Sequence, residues 1–383
     1  MKKKEIKRFP LPKKVITGLF AGAMALSIWA PESQAATPEK NKYYNINLKA
    51  NTWLKWNVEG ASTNNGPTIR LWGGSNNENE KFTFFPLDGG LYAIVNKNSG
   101  KPVTVPSGSS ILSQNNWTGS SNEQWYLRNQ GNNYYEIVHQ GTGKVASYAR
   151  NGNAEYVDLD ESNPYDPDRV FQISDAGASV QLPTLPTIGS RPNAPEYNPT
   201  GPIDQQLPQN SGTVVVGATS IPCIMVNDNQ ASDYTKIHNS PYYVLVKEEY
   251  WEKVRSEIIP AGGSSKYTVK TGVSTEDQQR MTDTLSMSFG ADLGFKFKAL
   301  SASLKYGISK TLQTEISTTS TESTESTEST EEKTITSLPG KNTGFTVYQL
   351  VTKYTLKRTD NSVVSSSWTV RDPNQTLVRT IPN

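Results

Sequence analysis

The 383-residue sequence predicts a mainly β protein built as two bodies joined by a proline-rich spacer. Three observations predict it. Aromatic residues, tyrosine above all, together with Gly and Pro are plentiful, while helix-forming apolar runs are few. A stretch of the amino-terminal half repeats with a period near 43 residues. The carboxy-terminal half carries long alternating segments in which apolar and polar residues change places at every step, the period of a strand.

Residues 1–35 stand apart. A basic start (Lys2, Lys3, Lys4, Lys7, Arg8, Lys13, Lys14) precedes an apolar run from Val15 to Ala30, and Ser33-Gln34-Ala35 offers small residues for cleavage. This is the pattern of a secretory signal peptide, so the mature protein is expected outside the cell. Those 35 residues hold seven Lys/Arg and two Asp/Glu, which leaves 31 basic against 34 acidic residues, about −3, in place of the whole chain's +2. The balance gives no footing for a nucleic-acid partner. Cys223 is the single cysteine and lies between apolar neighbours, so no internal disulfide forms and a small buried hydrophobe is its expected role.

From residue 43 to 178 the chain repeats. Ile94-Val95-Asn96-Lys97-Asn98-Ser99-Gly100-Lys101 returns as Ile137-Val138-His139-Gln140-Gly141-Thr142-Gly143-Lys144, and Asn79-Glu80-Lys81-Phe82 returns as Asn122-Glu123-Gln124-Trp125, both at 43 residues. Asp168-Arg169-Val170-Phe171 is a weaker third copy. Units this small cannot bury their own apolar faces, so three of them imply a pseudo-threefold all-β body. The repeats resemble the ricin B-type lectin domain, a β-trefoil with a Gln-x-Trp signature late in each unit. Here the signature Gln is Glu80, Glu123 and Arg169, and its aromatic is Trp only at Trp125. Sugar-binding members carry an Asp after the early turn; the corresponding positions are Lys55, Thr104 and Ser147.

A sugar site needs an aromatic face for the apolar side of the ring and amide or carboxylate groups for its hydroxyls. By position the candidate pairs are Trp72 with Asn79, Trp117 with Asn122, and Tyr156 with Asp168, the second being the best placed. The competing reading gives the aromatics to the core and the Asn residues to turns.

Residues 179–211 form the spacer, with Pro183, Pro186, Pro192, Pro195, Pro199, Pro202 and Pro208. Proline at this density builds no sheet interior and favours extended chain, either free or laid along the next body.

Residues 212–383 read as long strands. Pro241 to Ile259 is strand in its first half, and its second half fits strand or a short helix. Gly344 to Leu356 and Ser362 to Val370 form a hairpin across Thr359-Asp360-Asn361. Thr318 to Glu332 has no apolar side and fits a disordered tract or a polar strand. Between Leu285 and Leu312 the alternation is most regular. Leu285, Met287, Phe289, Ala291, Leu293, Phe295, Phe297 and Ala299 are apolar at every second position; then the parity flips to Leu300, Ala302, Leu304, Tyr306, Ile308 and Leu312. Such a flip puts both apolar faces on one side of a hairpin. Each arm of about 13 residues exceeds the roughly 9–11 that a tilted membrane strand needs. An ordinary antiparallel sheet with one wet face, or a bulge in a single long strand, gives the same pattern.

Ser/Thr-rich long strands with an internal amphipathic hairpin resemble the aerolysin-type β-pore-forming toxins. Leader, trefoil and such a domain together look like bacillus insecticidal toxins of the lectin-plus-pore-former kind. The resemblance implies an elongated antiparallel β domain and a secreted toxin. It would bind a cell-surface glycan or glycoprotein, assemble as a homo-oligomer and insert one hairpin per subunit in the target membrane. The alternative is a secreted carbohydrate-binding protein with no membrane step.

An enzyme is not expected. Only His139 and His238 exist, and no HExxH, clustered Cys/His spacing, GxSxG, phosphate loop or dinucleotide fingerprint appears. The acidic residues Asp158, Asp160, Glu161, Asp166 and Asp168 lack EF-hand spacing. No metal or cofactor is implied.

Overall fold

The computed structural model describes residues 38–285, 287–289, 295–297 and 329–382, so the expected leader lies outside them. Each repeat unit supplies four strands. The first gives β1 (Lys42–Leu48), β2 (Leu54–Val58), β3 (Ile69–Gly73) and β4 (Phe82–Pro86). The second gives β5 (Leu91–Asn96), β6 (Val103–Thr104), β7 (Ser113–Gln114) and β8 (Trp125–Asn129). The third gives β9 (Tyr134–His139), β10 (Val145–Asn151), β11 (Ala154–Asp160) and β12 (Phe171–Ser179). The outer strands of each unit pair in the ring β1–β4–β5–β8–β9–β12 and back to β1, which closes a six-stranded barrel. The inner two pair as hairpins, β2–β3, β6–β7 and β10–β11. This is a β-trefoil, and its closure removes the free edges an open sheet would carry.

The weak third copy of the sequence signature is structurally equal to the others. Phe82, Trp125 and Phe171 pair across the barrel seams with Asn96, His139 and Leu48, and all three aromatics are fully buried. Trp56 meets Phe82 and Phe171 edge-on, at 6.1 and 5.6 Å between ring centroids. One large aromatic from each unit therefore fills a core that no unit could fill alone. The acidic residues two places earlier stitch loops. Glu80 accepts hydrogen bonds from Asn57 Nδ2 (3.1 Å), Ser75 Oγ and the Asn77 N–H (3.3 Å), and Glu123 from the Thr118 and Gly119 N–H groups (2.9 and 3.0 Å).

The second half holds β13 (Val214–Pro222), α1 (Asp233–Asn239), β14 (Tyr242–Ile259), β15 (Ser264–Thr271), α2 (Thr275–Leu285), β16 (Met287–Phe289), β17 (Phe295–Phe297), β18 (Ser329–Thr336), β19 (Thr343–Lys357) and β20 (Trp368–Pro382). An antiparallel sheet in the order β13–β14–β19–β20 forms its spine. β14 is continuous over 18 residues, so its second half is strand and not helix. The expected hairpin of residues 344–370 is β19–β20, with its second strand starting later, at Trp368. β15 pairs with β18 in a separate two-stranded ribbon, so the end of the Thr-Glu-Ser tract is strand.

α2 departs from the sequence expectation. Leu285 closes this helix and is buried, where the alternation places it in a strand. Ser274 caps the helix, its Oγ accepting the Asp277 N–H at 3.1 Å, and Glu276 and Asp277 sit in the first turn where the helix dipole favours anions. That capping pattern was the overlooked signal. Met287 pairs with Phe297 and Phe289 with Phe295, so β16 and β17 are antiparallel partners within the stretch that reads as one arm. Leu293, Leu300, Leu304, Tyr306 and Ile308 lie outside the described residues.

The proline-rich spacer lies along the carboxy-terminal sheet. Arg191 grips Glu249 (Nε–Oε2 2.7 Å), Trp251 Nε1 donates to Pro192 O (2.8 Å), and Tyr348 OH donates to Pro208 O (2.6 Å). Ala194 and Leu207 are buried against Trp251, Tyr348 and Leu350. Extended chain that forms no ladder thus finds side-chain donors for its carbonyls.

Candidate functional site

The three aromatic–polar pairs expected from sequence meet different fates. Trp72, on β3, is 63% exposed and lines a cavity of about 610 Å³ together with Asn57, Arg70, Ser75, Asn77 and Asn79. That volume suits a small-molecule site. Asn79 is 5% exposed; its Nδ2 donates to Val58 O at 2.9 Å, and its Oδ1 has no protein partner. An open indole at a cavity walled by amide, hydroxyl and guanidinium groups is the chemistry a sugar ring face and its hydroxyls call for. The far wall comes from the β10–β11 turn, Asn153 to Glu155, which sequence reasoning missed. The clue was the threefold closure itself, since Tyr156 of the third unit pairs with Arg70 of the first.

Lys55 stands where sugar-binding relatives of the fold carry Asp. It is nearly buried, with its ammonium 3.1 Å from Glu80 Oε2 and donating to Ser75 O. This position is spent on the loop and offers a ligand no carboxylate. The polar wall is made of amides, the Ser75 hydroxyl, and the Arg70–Glu59 ion pair.

Trp117, the best placed by sequence, turns elsewhere. It is part-buried against the cluster that holds Cys223 and Met225, and it lines a cleft of about 260 Å³ with Lys101, Asp233, Lys236 and Leu285. Asn122 is not in that cleft; its backbone carbonyl accepts from the Val105 N–H and Thr104 Oγ1. The second unit's corner docks on the carboxy-terminal half, together with Tyr43 of the first unit. Lys101 Nζ lies 3.1 Å from Asp233 Oδ2, and Tyr43 OH donates to Ile237 O at 3.3 Å. Tyr156 and Asp168 are also kept apart. Tyr156 sits in the β10–β11 hairpin, and the Asp168 N–H donates to Asp166 Oδ1, while burial and the neighbouring Asp166 raise the Asp168 carboxyl above its usual range.

Among the described residues no group of His, Cys, Asp or Glu is arranged to hold a metal ion. No described helix is long and apolar enough to cross a membrane, which leaves strands as a route untouched.

Residues 214–383 match the family model of the insecticidal crystal toxin P42, and residues 29–111 and 78–161 match that of the ricin-type β-trefoil lectin-like domain. Over 351 residues the chain is 28% identical to the binary larvicide subunit BinA of Lysinibacillus sphaericus, covering 90% of this chain and 92% of BinA. The carboxy-terminal half is thus similar to the insecticidal crystal toxins, and nearly the whole chain is similar to a larvicide subunit. It is also 27% identical over 269 residues to the insecticidal crystal protein Cry35Ab1 of Bacillus thuringiensis, covering 68% and 67% of the two chains. The crystal structure of Cry35Ab1 superposes with a TM-score of 0.76 at 21% identity, over 89% of this chain and 90% of that one, so the two share a fold. These relatives of the crystal toxins are larvicidal or insecticidal by name, and the trefoil paired with a long antiparallel β half is common to the fold.

Proposed function

We propose that the chain is a secreted insecticidal toxin. Its trefoil binds a cell-surface glycan or glycoprotein in the Trp72–Asn79 cavity. Copies then assemble on the membrane, and each contributes one hairpin from Leu285–Leu312 to a β-barrel pore, without catalysis. A closed barrel is required because a lone hairpin leaves unpaired backbone in hydrocarbon.

The observation that carries this reading is a register. β15 and β18 pair from Ser264 with Thr336 to Thr271 with Ser329. Continued inward one residue at a time on both arms, that pairing meets at Leu300, the residue at which the apolar parity flips. On this reading the ribbon is the root of a longer hairpin, which replaces α2 and the β16–β17 pairing on insertion and whose tip the sequence marks independently. A one-residue bulge in either arm brings Phe295 opposite Leu304 or Tyr306, so that both apolar sets face one side. In the inserted form α2 joins the arm, with Met281 and Leu285 continuing the alternation of Met287, Phe289, Phe295 and Phe297.

The test is dye release from liposomes by the mature chain, before and after limited proteolysis. Phe295→Asp is expected to abolish release while the trefoil stays folded by circular dichroism, because a carboxylate on the lipid face of a strand is costly. Release that persists in this variant defeats the hairpin assignment. A chain that binds glycan and releases no dye at any concentration is the alternative, a carbohydrate-binding protein with no membrane step.

A further inference from the structure

The first unit carries a second large exposed aromatic that no sequence pattern singled out. Trp53, just before β2, is 67% exposed, yet it is seated and not loose. Its backbone N–H donates to Asn51 Oδ1 at 3.2 Å, and Asn47 Nδ2 donates to Thr52 O at 2.9 Å, so the turn that presents it is pinned on both sides. The indole lies on Gly73 and Gly74. A Cβ at Gly73 would stand 2.0 Å from Trp53 Nε1, and one at Gly74 would stand 2.9 Å from Cζ2. Glycine is required in both places for the ring to lie there.

The repeat explains why this corner is vacant. Ile46 to Trp53 aligns residue for residue with Ile94 to Lys101 and with Ile137 to Lys144. Lys101 is consumed by the contact with Asp233 in the carboxy-terminal half, and Lys144 pairs with Glu161 at 3.2 Å. Trp53 occupies the same corner, with one face on glycine and the other in solvent.

Its place along the chain ties it to the cavity. Trp72 lines the cavity, Gly73 and Gly74 pass under Trp53, and Ser75 lines the cavity again. Only two side-chain-free residues, about 7 Å of backbone, separate the indole from the cavity rim. Side chains there would both dislodge Trp53 and raise a wall between it and the cavity.

We infer that Trp53 is the outer platform of an extended glycan site: a terminal sugar occupies the Trp72–Asn79 cavity, and the next residue of the chain crosses the Gly73–Gly74 ridge and stacks on Trp53. The ligand class is therefore an oligosaccharide of at least two rings. This rests on the glycan reading above and goes beyond it in naming a second subsite and the length of ligand it selects.

The full mature chain is titrated calorimetrically with galactose, N-acetylgalactosamine, N-acetylglucosamine and mannose, and with a disaccharide and trisaccharide ending in each. Wild type is expected to bind the longer form of its preferred sugar roughly three- to tenfold more tightly than the monosaccharide, the scale of one aromatic stacking contact. Trp53→Ala removes that gain and leaves monosaccharide binding unchanged, Trp53→Tyr restores most of it, and Gly73→Ala reproduces the loss by displacing the indole. Trp72→Ala loses both ligands. Unchanged oligosaccharide binding in a folded Trp53→Ala overturns this inference and leaves the glycan reading standing. Failure of wild type to bind any sugar of either length defeats the glycan reading and this inference with it. Loss of binding to sugar-free phosphatidylcholine vesicles, with sugar binding intact, assigns Trp53 to the membrane instead and also overturns it.

Discussion

At one seam position the three trefoil units place Leu48, Asn96 and His139 opposite Phe171, Phe82 and Trp125. Leucine needs no partner there, and Asn96 Nδ2 donates to Asn79 O at 3.0 Å. His139 is buried, its Nδ1 3.0 Å from Thr142 Oγ1, and burial holds its imidazole below the ordinary pKa of 6.5. The unfolded chain therefore takes up a proton near pH 6.5 that the folded protein refuses. This contribution to stability is whole above that pH and is lost as the pH falls toward the lowered folded value. His238 is lowered in the same direction by burial and by Lys97, with Glu78 opposing, so it adds to the loss. The heat-unfolding midpoint of wild type should fall between pH 7 and 5. His139→Asn, which copies the second unit, should shrink that fall and change the midpoint little at pH 8. Parallel wild-type and variant curves would show that His139 does not carry the effect.

Between elements, a buried polar joint ties the loop before α1 to the turn between β19 and β20. Asp228 is buried, accepts from Arg358 Nε and Nη2 at 2.8 Å each, and accepts from Tyr243 OH at 2.9 Å. Burial alone would raise its carboxyl, but Arg358 and its other donors hold it below the usual range. Arg358→Met strands a buried carboxylate and should cost about 3 kcal/mol in urea unfolding, whereas adding Asp228→Asn should recover much of it. Equal losses in Arg358→Met and in the double variant would mean that the stranded Asp228 carboxylate is not what costs the single variant its stability. Sequence alone could not find this joint, since its ends lie 130 residues apart and neither sits in a pattern. What sequence does reveal is periodic. The 43-residue repeat announced the barrel and the strand-rich runs announced β14 and β19, while β15 went unread and the Thr-Glu-Ser tract that ends in β18 fitted disorder as well as strand. α2 was hidden because Met281 and Leu285 fit the strand parity of Met287 and Phe289 as well as they fit one face of a helix. At the site, Trp72 and Asn79 were legible from their place in the repeat. Trp53 and the Trp117 contact were not, because the corner each occupies is equivalent by symmetry and only the carboxy-terminal half decides which corner is covered.

Across the molecule, one apolar cluster joins the trefoil to α2, where the proposed hairpin begins. Tyr43, Phe85 and Val95 from the barrel share it with Cys223, Met225 and Ile237, and with Met281 and Leu285 of α2. The burial that places the trefoil on the second half also holds α2 in its helical form. If α2 must leave this cluster for the β15–β18 root to lengthen, then fixing α2 to the sheet should stop pore opening without touching glycan binding. Asp277 offers the place, since its Oδ2 accepts the Thr369 N–H at 2.9 Å and brings α2 against β20. Asp277→Cys with Thr369→Cys is expected to form a disulfide, and Cys223, fully buried with its thiol pushed up to about 12 by burial, should take no part. The oxidised variant should bind glycan as wild type does and release no dye from vesicles, and reduction should restore release. Met281→Ala should work in the opposite direction, lowering stability by about 2–5 kcal/mol through the cavity it leaves while releasing dye faster than wild type. Full release by the oxidised variant would show that α2 keeps its place while the membrane opens, and a hairpin that ends short of residue 285 would then be required.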